Sequence, residues 1–550
     1  MKINKILVVA TASAMLLSGS VLTSCTDNFE SLNTNKYEVD PDNMPFSAQF
    51  LTPLTYIYPP HQNKFQFWTN LSIDLFGGYF MTPHNFGGNG NVDYKLNRGF
   101  CGGMYENYYL QVFNNTNRLI KACDEKNIPD FAAVMRVVQA YATACATDAY
   151  GPIAYRSVIE SNGVSFAYDT QETIYNEIFK LLDDAIAGFK KGTSTPEQMQ
   201  TFDFWCNGDK TLWIKVANQF KLRYAMRIVK ANPTLAKQKA EEAVKGGVLT
   251  AADHDILVDH GFSNELTRMF EWGDCGINAN LTTIMDGYQD PRIGLYITKN
   301  TNDVTVDDVV KVQKDTKYLG IRGGCSLPNK PNSWGSYSGI VCTYSTPLPV
   351  MKVAESYFLR AEGALRGWDM KGTAKDLYEE GIKVSIKNEL KAKKAFSTVK
   401  EISDAQIAAY INGTTKQLDY VDPSDSKNDI AAMNTVSVKW DESASKEDKL
   451  QRIIIQKWIA NFPLSTEAWA EYRRTGYPKL FPNRDNKSEG TIDTNEQIRR
   501  LIYSDVEMNA NNDELQKGIE LLNKENTSSK FKGDIGGTRV WWDKANKGNF

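Results

Sequence analysis

Amphipathic helical periodicity dominates the middle of this 550-residue chain. In residues 131–149 apolar side chains recur every three to four positions, and residues 173–189 and 212–229 repeat the pattern. Asp169 and Thr170 precede the second stretch, where a helix-capping residue is expected. Such spacing puts the apolar side chains on one face of a helix, and that face must pack against a neighbour. The sequence therefore predicts a mostly α-helical chain.

Two further helix pairs are predicted as hairpins. Residues 351–365 and 373–386 are joined by the short connection RGWDMKG, and residues 450–462 and 465–474 form the second pair. Alternating small and aromatic residues across such hairpins resemble degenerate tetratricopeptide units, in which each pair buries its apolar face on the next. We therefore expect a scaffold of tetratricopeptide-like hairpins wound into an α/α superhelix.

Three segments interrupt this helical pattern. Residues 41–103, 250–349 and 400–449 are rich in Gly, Asn, Asp, Ser and Pro, which indicates loops with short strands or helices. Long insertions on a rigid scaffold can present side chains to a ligand. We expect the binding site in the insertions near 41–103 and 250–349.

The N-terminus has the pattern of an export signal. Lys2 and Lys5 precede an apolar run over residues 6–22, which is shorter than the roughly 20 residues that a spanning helix needs. Ser24 and Cys25 then form a small-residue site that ends in cysteine, and this resembles the bacterial lipobox. The alternative is an ordinary cleavage site with a nearby cysteine.

The lipobox interpretation defines the mature chain. It predicts a signal peptide over residues 1–24, followed by one domain over residues 25–550 whose first residue, Cys25, carries the lipid. An acylated terminus anchors a protein to a bilayer surface without spanning it. Asp27 and Glu30 resemble the acidic tract of surface-exposed lipoproteins in Bacteroidetes. We therefore expect a lipid-anchored protein of the outer membrane that faces outward.

Charge and composition argue against several classes of protein. The balance of 63 basic and 66 acidic residues does not recruit nucleic acid. Removing Cys25 from the eight cysteines leaves an odd number without close pairs, so a disulfide framework is not expected. His254 and His260 lie in an acidic stretch that could hold a metal, but a solvated loop is favoured. No catalytic motif or cofactor motif stands out, and we expect no cofactor, no metal and no enzymatic activity.

Aromatic residues are concentrated among Gly, Asn and Pro in residues 56–109. Sugars stack their C–H faces on aromatic rings and pair their hydroxyls with Asn, Asp and Arg, so this mixture suits a carbohydrate. Phe65, Phe67 and Phe76 are expected in the core instead. The candidate ligand-binding residues, which lie in three polar loops, are Trp68, His84, Asn85, Phe86, Asn89, Asn91, Tyr94, Trp272, Trp334 and Tyr337.

Eight stretches in order along the chain resemble the SusD/RagB nutrient-binding lipoproteins. They are AYGPIAYRS, WIKVANQFKLRYAMRI, DPRIG, ESYFLRAEGALRGW, QKWIANF, EAWAEYRRTGYP, RRLIYSDVEMNAN and VWWDK. One departure is Ser504, where family members usually have proline. The resemblance implies a helical fold with tetratricopeptide-like units on one side and a loop-built ligand site on the other.

The resemblance also implies a function. A lipoprotein of this kind covers a TonB-dependent outer-membrane barrel of the SusC type, captures an oligosaccharide and commits it to import without breaking a bond. RagB-like members resemble peptide binders, so a peptide ligand remains an alternative. Two rival functions also stay open, namely a glycan-degrading enzyme and an assembly scaffold that binds no small ligand.

Overall fold

Helices account for about 51% of the chain in the computed structural model, and strands are few. The structure describes residues 45–84, 90–160, 165–325, 336–395 and 399–550. Within these residues no helix has both the length and the hydropathy that crossing a bilayer requires. The predicted mostly α-helical class is confirmed.

The described helices fall into long and short groups. The longer ones are α1 (Asn114–Glu125), α2 (Pro129–Tyr150), α3 (Gln171–Lys191), α4 (Lys210–Arg227), α5 (Pro233–Gly246), α6 (Glu265–Glu271), α7 (Ala279–Gly287), α8 (Val353–Leu365), α9 (Ala374–Lys394), α10 (Asp404–Ile411), α11 (Lys446–Ala460), α12 (Ser465–Thr475) and α13 (Asn512–Glu525). The short α-helices are Leu51–Thr55, Gln62–Phe65, Arg98–Cys101, Gly103–Asn107, Arg156–Glu160, Pro196–Gln200, Ile293–Tyr296 and Asp505–Ala510.

Neighbouring helices pack as the tetratricopeptide-like pattern predicts. Helix α2 packs against α1 and α3, α4 packs against α3 and α5, and α8 packs against α9. Helix α11 packs across α8 and α9. Both helices of the last predicted hairpin form, and α12 contacts α4 and residues 73–75. The helical scaffold was predicted correctly, but the polar helices α1, α5 and α13 were not predicted.

Local capping explains where α3 begins. The side chain of Thr170 accepts a hydrogen bond from the backbone N–H of Thr173, which satisfies one of the free donors of the first turn. Asp169, the other expected cap, instead accepts a 2.7 Å hydrogen bond from Nε of Arg156. The prediction of a cap at Thr170 is confirmed.

Buried ion pairs connect the scaffold helices. Arg223 on α4 donates to Glu355 on α8, with 3.0 Å between Nε and Oε1, and neither side chain is exposed. Arg227 donates to both carboxylate oxygens of Glu467 at 2.7 Å, and Lys457 Nζ lies 3.3 Å from Glu355. Losing one partner would leave an uncompensated buried charge, so the pairs fix how these helices meet.

A second buried cluster extends this network. Arg474 on α12 donates to both oxygens of Glu362 at 2.7 Å and also to Glu471. Burial alone would raise the pKa of Glu471, but the charges of Arg474 and Lys457 hold that pKa below its ordinary value. The stretches that carry the family resemblance thus supply buried structural charges.

Six of the eight described strands lie within the insertion over residues 250–349, and a seventh begins at its end. The strands are β1 (Phe80–Met81), β2 (Ile256–Val258), β3 (Gly276–Ile277), β4 (Ile297–Asn300), β5 (Val304–Val306), β6 (Val309–Val312), β7 (Ser338–Ile340) and β8 (Leu348–Met351). They pair antiparallel as β1–β3, β2–β8, β4–β7 and β5–β6. Loops with short strands were predicted there, and this is confirmed.

The chain divides into two units, residues 1–49 and residues 50–550. The second unit contains every long helix and every strand given above. The predicted signal peptide over residues 1–24 and the lipidated Cys25 lie outside the described residues, so both stay predictions.

Candidate functional site

Short strands bring segments of the two predicted insertions together. Phe80 of β1 lies opposite Ile277 of β3, and Met81 lies opposite Gly276. A side chain at position 276 would place its Cβ 3.2 Å from Cδ1 of Ile321, which explains the glycine there. The segments around residues 80, 276 and 321 therefore lie side by side.

A hydrophobic cluster holds this loop region together. The buried members are Met81, Val92, Val304, Val312, Leu319, Ile321, Cys325 and Tyr337, and Leu75 packs against them. Because its members come from both insertions, the cluster holds the loops of one insertion against those of the other.

His84 is held at the edge of this region by Asp274. Its Nε2 lies 2.9 Å from Oδ1 of Asp274, whose other oxygen accepts a 2.8 Å hydrogen bond from Nε2 of Gln66. Asn70 donates to the backbone oxygen of Asp274 at 3.1 Å. The carboxylate thus orients the imidazole, and 23% of the His84 side chain remains exposed. His84 stays a predicted ligand residue with a surface that a ligand could reach.

Trp272 belongs to an aromatic platform, which we define as Arg268, Trp272 and Tyr344. The guanidinium of Arg268 lies 6.0 Å from the ring centroid of Trp272 and 5.1 Å from that of Tyr344. All three side chains are partly exposed. Guanidinium–ring contacts of this kind are attractive, so the three side chains support each other at the surface.

The platform is fixed by hydrogen bonds at both ends of α6. The Asn264 side chain caps the helix, and the Asn264 backbone N–H donates to the backbone oxygen of Tyr344 at 2.8 Å. Nε of Arg268 donates to Glu265 at 2.7 Å, and the Tyr344 hydroxyl donates to Glu271. This bond to Glu271 raises the pKa of the Tyr344 phenol.

This arrangement is suited to binding a flat molecule with polar edges. The two rings offer apolar faces, while Arg268 supplies hydrogen-bond donors and Glu271 supplies acceptors at the same surface. Few side-chain torsions have to be immobilised on binding, because hydrogen bonds already hold Arg268 and Tyr344, and Trp272 lies against the guanidinium of Arg268.

A separate cavity of about 410 Å³ lies partly against α6. Its walls include Leu266, Tyr296, Cys342 and the buried ion pair between Lys352 and Glu389. Burial raises the pKa of the Cys342 thiol, so this thiol is protonated near neutral pH and is a poor nucleophile.

Trp68 does not offer a stacking face. Its side chain is only 6% exposed and its ring meets that of Tyr58 edge-on, with centroids 5.2 Å apart. The expectation that Trp68 is a surface platform was wrong, because the short π-helix Gln66–Asn70 packs this ring inward. Phe65 and Phe76 are buried as expected, and Phe67 is half-buried.

Asn91, Tyr94 and Tyr337 are also buried, which corrects the expectation that these three side chains bind a ligand at the surface. Nδ2 of Asn91 donates to the backbone oxygen of Leu71 at 2.6 Å, so its amide is used in the fold. The Tyr337 hydroxyl pairs with Ser424 at 3.2 Å. Hydrogen bonds to residues 20 and 87 positions away in the chain thus satisfy the polar groups of Asn91 and Tyr337 and allow the loops to fold inward.

Four of the candidate residues, Asn85, Phe86, Asn89 and Trp334, lie outside the described residues and stay predictions. Sequence reasoning missed Arg268, Glu271 and Tyr344. Arg268 and Trp272 are four residues apart at the end of a capped helix, and this spacing could have indicated a pair. Tyr344 had no such signal, because only the fold brings it to α6.

Comparison with known proteins matches this architecture to one family over almost the whole chain. A family model described as "SusD-like: SusD and RagB outer membrane lipoprotein" matches residues 27–543. A comparison with curated proteins gave no match.

Solved structures give the same result. A chitin-binding SusD homologue from Flavobacterium johnsoniae is 36% identical with a TM-score of 0.81, covering 92% of this chain and 100% of its own. A SusD homologue from Bacteroides vulgatus is 31% identical with a TM-score of 0.81, covering 92% and 98%. One from Bacteroides thetaiotaomicron is 30% identical with a TM-score of 0.80, covering 92% and 100%. This chain belongs to the SusD-like family of outer membrane lipoproteins.

Proposed function

We propose that this protein is a surface-exposed lipoprotein that binds oligosaccharides and delivers them to a TonB-dependent SusC-like transporter. It does so as a binding protein and not as an enzyme. The observation that carries the proposal is the partly exposed platform, in which the guanidinium of Arg268 lies 6.0 Å from the ring centroid of Trp272 and 5.1 Å from that of Tyr344. Family membership supports the outer-membrane role.

The chemistry of the platform favours a sugar chain. A pyranose ring has apolar C–H faces and a rim of hydroxyls, which complement the two aromatic faces and the polar groups of Arg268 and Glu271. His84, held by Asp274 at the edge of the same insertion region, adds a further polar group. An oligosaccharide can use several such contacts at once.

Chitin oligosaccharides are the first ligands to test. Two of the similar structures are described as chitin-binding, at 36% and 25% identity. We propose that the rings of Trp272 and Tyr344 stack on successive N-acetylglucosamine units.

One experiment separates the ligand classes. The purified protein is applied to a glycan array and, side by side, to a pool of tryptic peptides. We expect binding to chitin oligosaccharides and no retained peptide. Retention of peptides with no glycan binding would favour the RagB-like alternative, and release of reducing ends from a bound glycan would favour an enzyme.

The transporter is tested separately. Since the role as a lid requires a barrel, we expect a TonB-dependent protein to co-purify from native membranes with the lipid-anchored form. The helical face and the segment after Cys25 would hold the barrel, leaving the loops towards its lumen. Co-purification without any TonB-dependent protein would contradict this part of the proposal.

A further inference from the structure

A basic hollow of about 350 Å³ lies beyond the C-terminal end of α12, away from the platform residues in the chain. We define the basic hollow by Lys230, Arg473, Lys479, Lys544 and Lys547, which line it. Three more arginines, Arg474, Arg499 and Arg539, also reach its wall, whereas Glu496 is the one acidic residue among its lining residues.

The three additional arginines are neutralised by neighbouring carboxylates. Arg474 is paired with Glu362 and Glu471, as described above. Arg499 and Arg539 share Asp543, at 2.7 and 2.6 Å, and Arg539 also contacts Glu496 at 3.0 Å. Glu496, the acidic residue that lines the hollow, is therefore already used by Arg539, and Asp543 is already used by Arg499 and Arg539.

The five cations that define the basic hollow form no ion pair with a carboxylate among the described residues. In the described part of the chain, the Lys230 ammonium has neither a hydrogen bond nor an ion pair. Arg473 donates to the backbone oxygens of Asp148 and Arg499 at 2.6 and 2.9 Å, and its guanidinium lies 3.6 Å from the ring centroid of Trp469. These described contacts of Arg473 are with neutral groups, so they do not neutralise the positive charge of its guanidinium.

Backbone oxygens also hold the lysines of the last segment. Nζ of Lys547 donates to the backbone oxygen of Lys230 at 2.9 Å, and Nζ of Lys544 donates to that of Glu525 at 2.9 Å. An ammonium has three donors, so each lysine can bind a further acceptor. Lys479 is exposed at the rim.

Two of the cations in the hollow have lowered pKa values, and burial is the main cause in both. Burial, together with the nearby charge of Arg474, lowers the pKa of Lys230 to about 8. Burial lowers the pKa of Arg473 to about 9. Asp543 and Glu447 act on Lys230 in the opposite direction, but they do not offset these effects. An anion in the hollow would stabilise both cations.

We propose that the basic hollow binds a phosphate-type polyanion of the size of a diphosphate or a phosphosugar. A single carboxylate would leave most of the five cations uncompensated, whereas a diphosphate offers several charges and many acceptor oxygens. Either a lipid headgroup at the membrane surface or a soluble phosphate compound could supply this chemistry. The site is independent of the platform.

The test uses pyrophosphate as the probe and isothermal titration calorimetry at pH 7 on the full chain. We expect the wild type to bind, and Lys230→Met and Lys547→Ala each to weaken binding at least tenfold. Lys180→Ala is the control, since this exposed lysine pairs only with Asp184 on α3 among its described contacts. Added salt should weaken binding steeply.

A melting curve guards against a folding artefact. Removing an unpaired, mostly buried ammonium should not lower the melting temperature, so Lys230→Met is expected to melt at or above the wild type.

Vesicles of phosphatidic acid, with phosphatidylcholine vesicles as reference, identify the source of the bound phosphate group. Pyrophosphate-sensitive binding to phosphatidic acid indicates a lipid headgroup, and binding of soluble pyrophosphate alone indicates a soluble ligand. Absence of both, or equal weakening by Lys180→Ala, would overturn the proposal.

Discussion

Arg223 and Glu355 form an ion pair that joins α4 to α8 out of contact with solvent, with 3.0 Å between Nε and Oε1. We predict that Glu355→Ala lowers the free energy of unfolding by about 3–5 kcal/mol, because Arg223 and Lys457 lose the buried carboxylate that they share. Among the described residues, only longer contacts with carboxylates then remain, at 3.7 Å from Arg223 to Glu467 and at 3.5 Å from Lys457 to Glu471. Denaturant titration followed by circular dichroism measures this change.

The matched control is the exposed pair of Lys180 and Asp184. Asp184→Ala should change the free energy of unfolding by less than about 1 kcal/mol, because solvent screens that pair. If both substitutions have equally small effects, the Arg223–Glu355 pair does not hold the scaffold together.

Trp68 and Trp272 should behave in opposite ways. Trp68→Ala should lower the free energy of unfolding by about 3–5 kcal/mol, since its ring is buried against Tyr58. Trp272→Ala should cost much less, because this ring is partly exposed at the end of α6. Thermal and denaturant unfolding of the two variants check this difference, and a stable Trp68→Ala protein would contradict the assigned burial.

The contrast between these two tryptophans shows how far sequence reasoning could go. Helical periodicity located α2, α3 and α4 within a few residues, because burial of one face is encoded locally. Loop residues carry no such period, so Trp68 and Tyr94 looked exposed by composition although long-range packing buries them. Tyr344 was missed for the same reason, since its contact with Arg268 depends on the fold.

Glu525 should make stability depend on pH. Burial raises its pKa from 4.5 to about 7, and its Oε2 is buried without a hydrogen-bond partner in the described structure. The folded state then binds more protons than the unfolded state between pH 4.5 and about 7, so this group stabilises the fold below pH 4.5 and loses its contribution as pH rises through about 7.

The variant Glu525→Gln isolates this effect. The difference in free energy of unfolding between wild type and variant should fall by about 3 kcal/mol at most as pH rises from 4.5 to 7. Unfolding curves at four or five pH values would measure it. A difference that does not change with pH would show that Glu525 titrates normally.

Cys25→Ala tests the predicted anchor. Because the fold over residues 50–550 has its own core, we expect a folded protein that is no longer held by a lipid at the outer membrane. Fractionation in cells that lack the transporter measures its location. Full partition into the outer membrane under those conditions would mean that the lipobox interpretation is wrong.

The most direct test of the proposed function is calorimetric titration of a chitin hexasaccharide into wild type, Trp272→Ala, Tyr344→Ala and the control Trp368→Ala, which alters another partly exposed tryptophan. An aromatic contact contributes about 0.5–1.5 kcal/mol beyond area burial. We therefore predict that each platform substitution weakens binding up to about tenfold, while Trp368→Ala leaves the affinity unchanged. Wild-type affinity in both platform variants would contradict the assignment of the ligand site to Arg268, Trp272 and Tyr344.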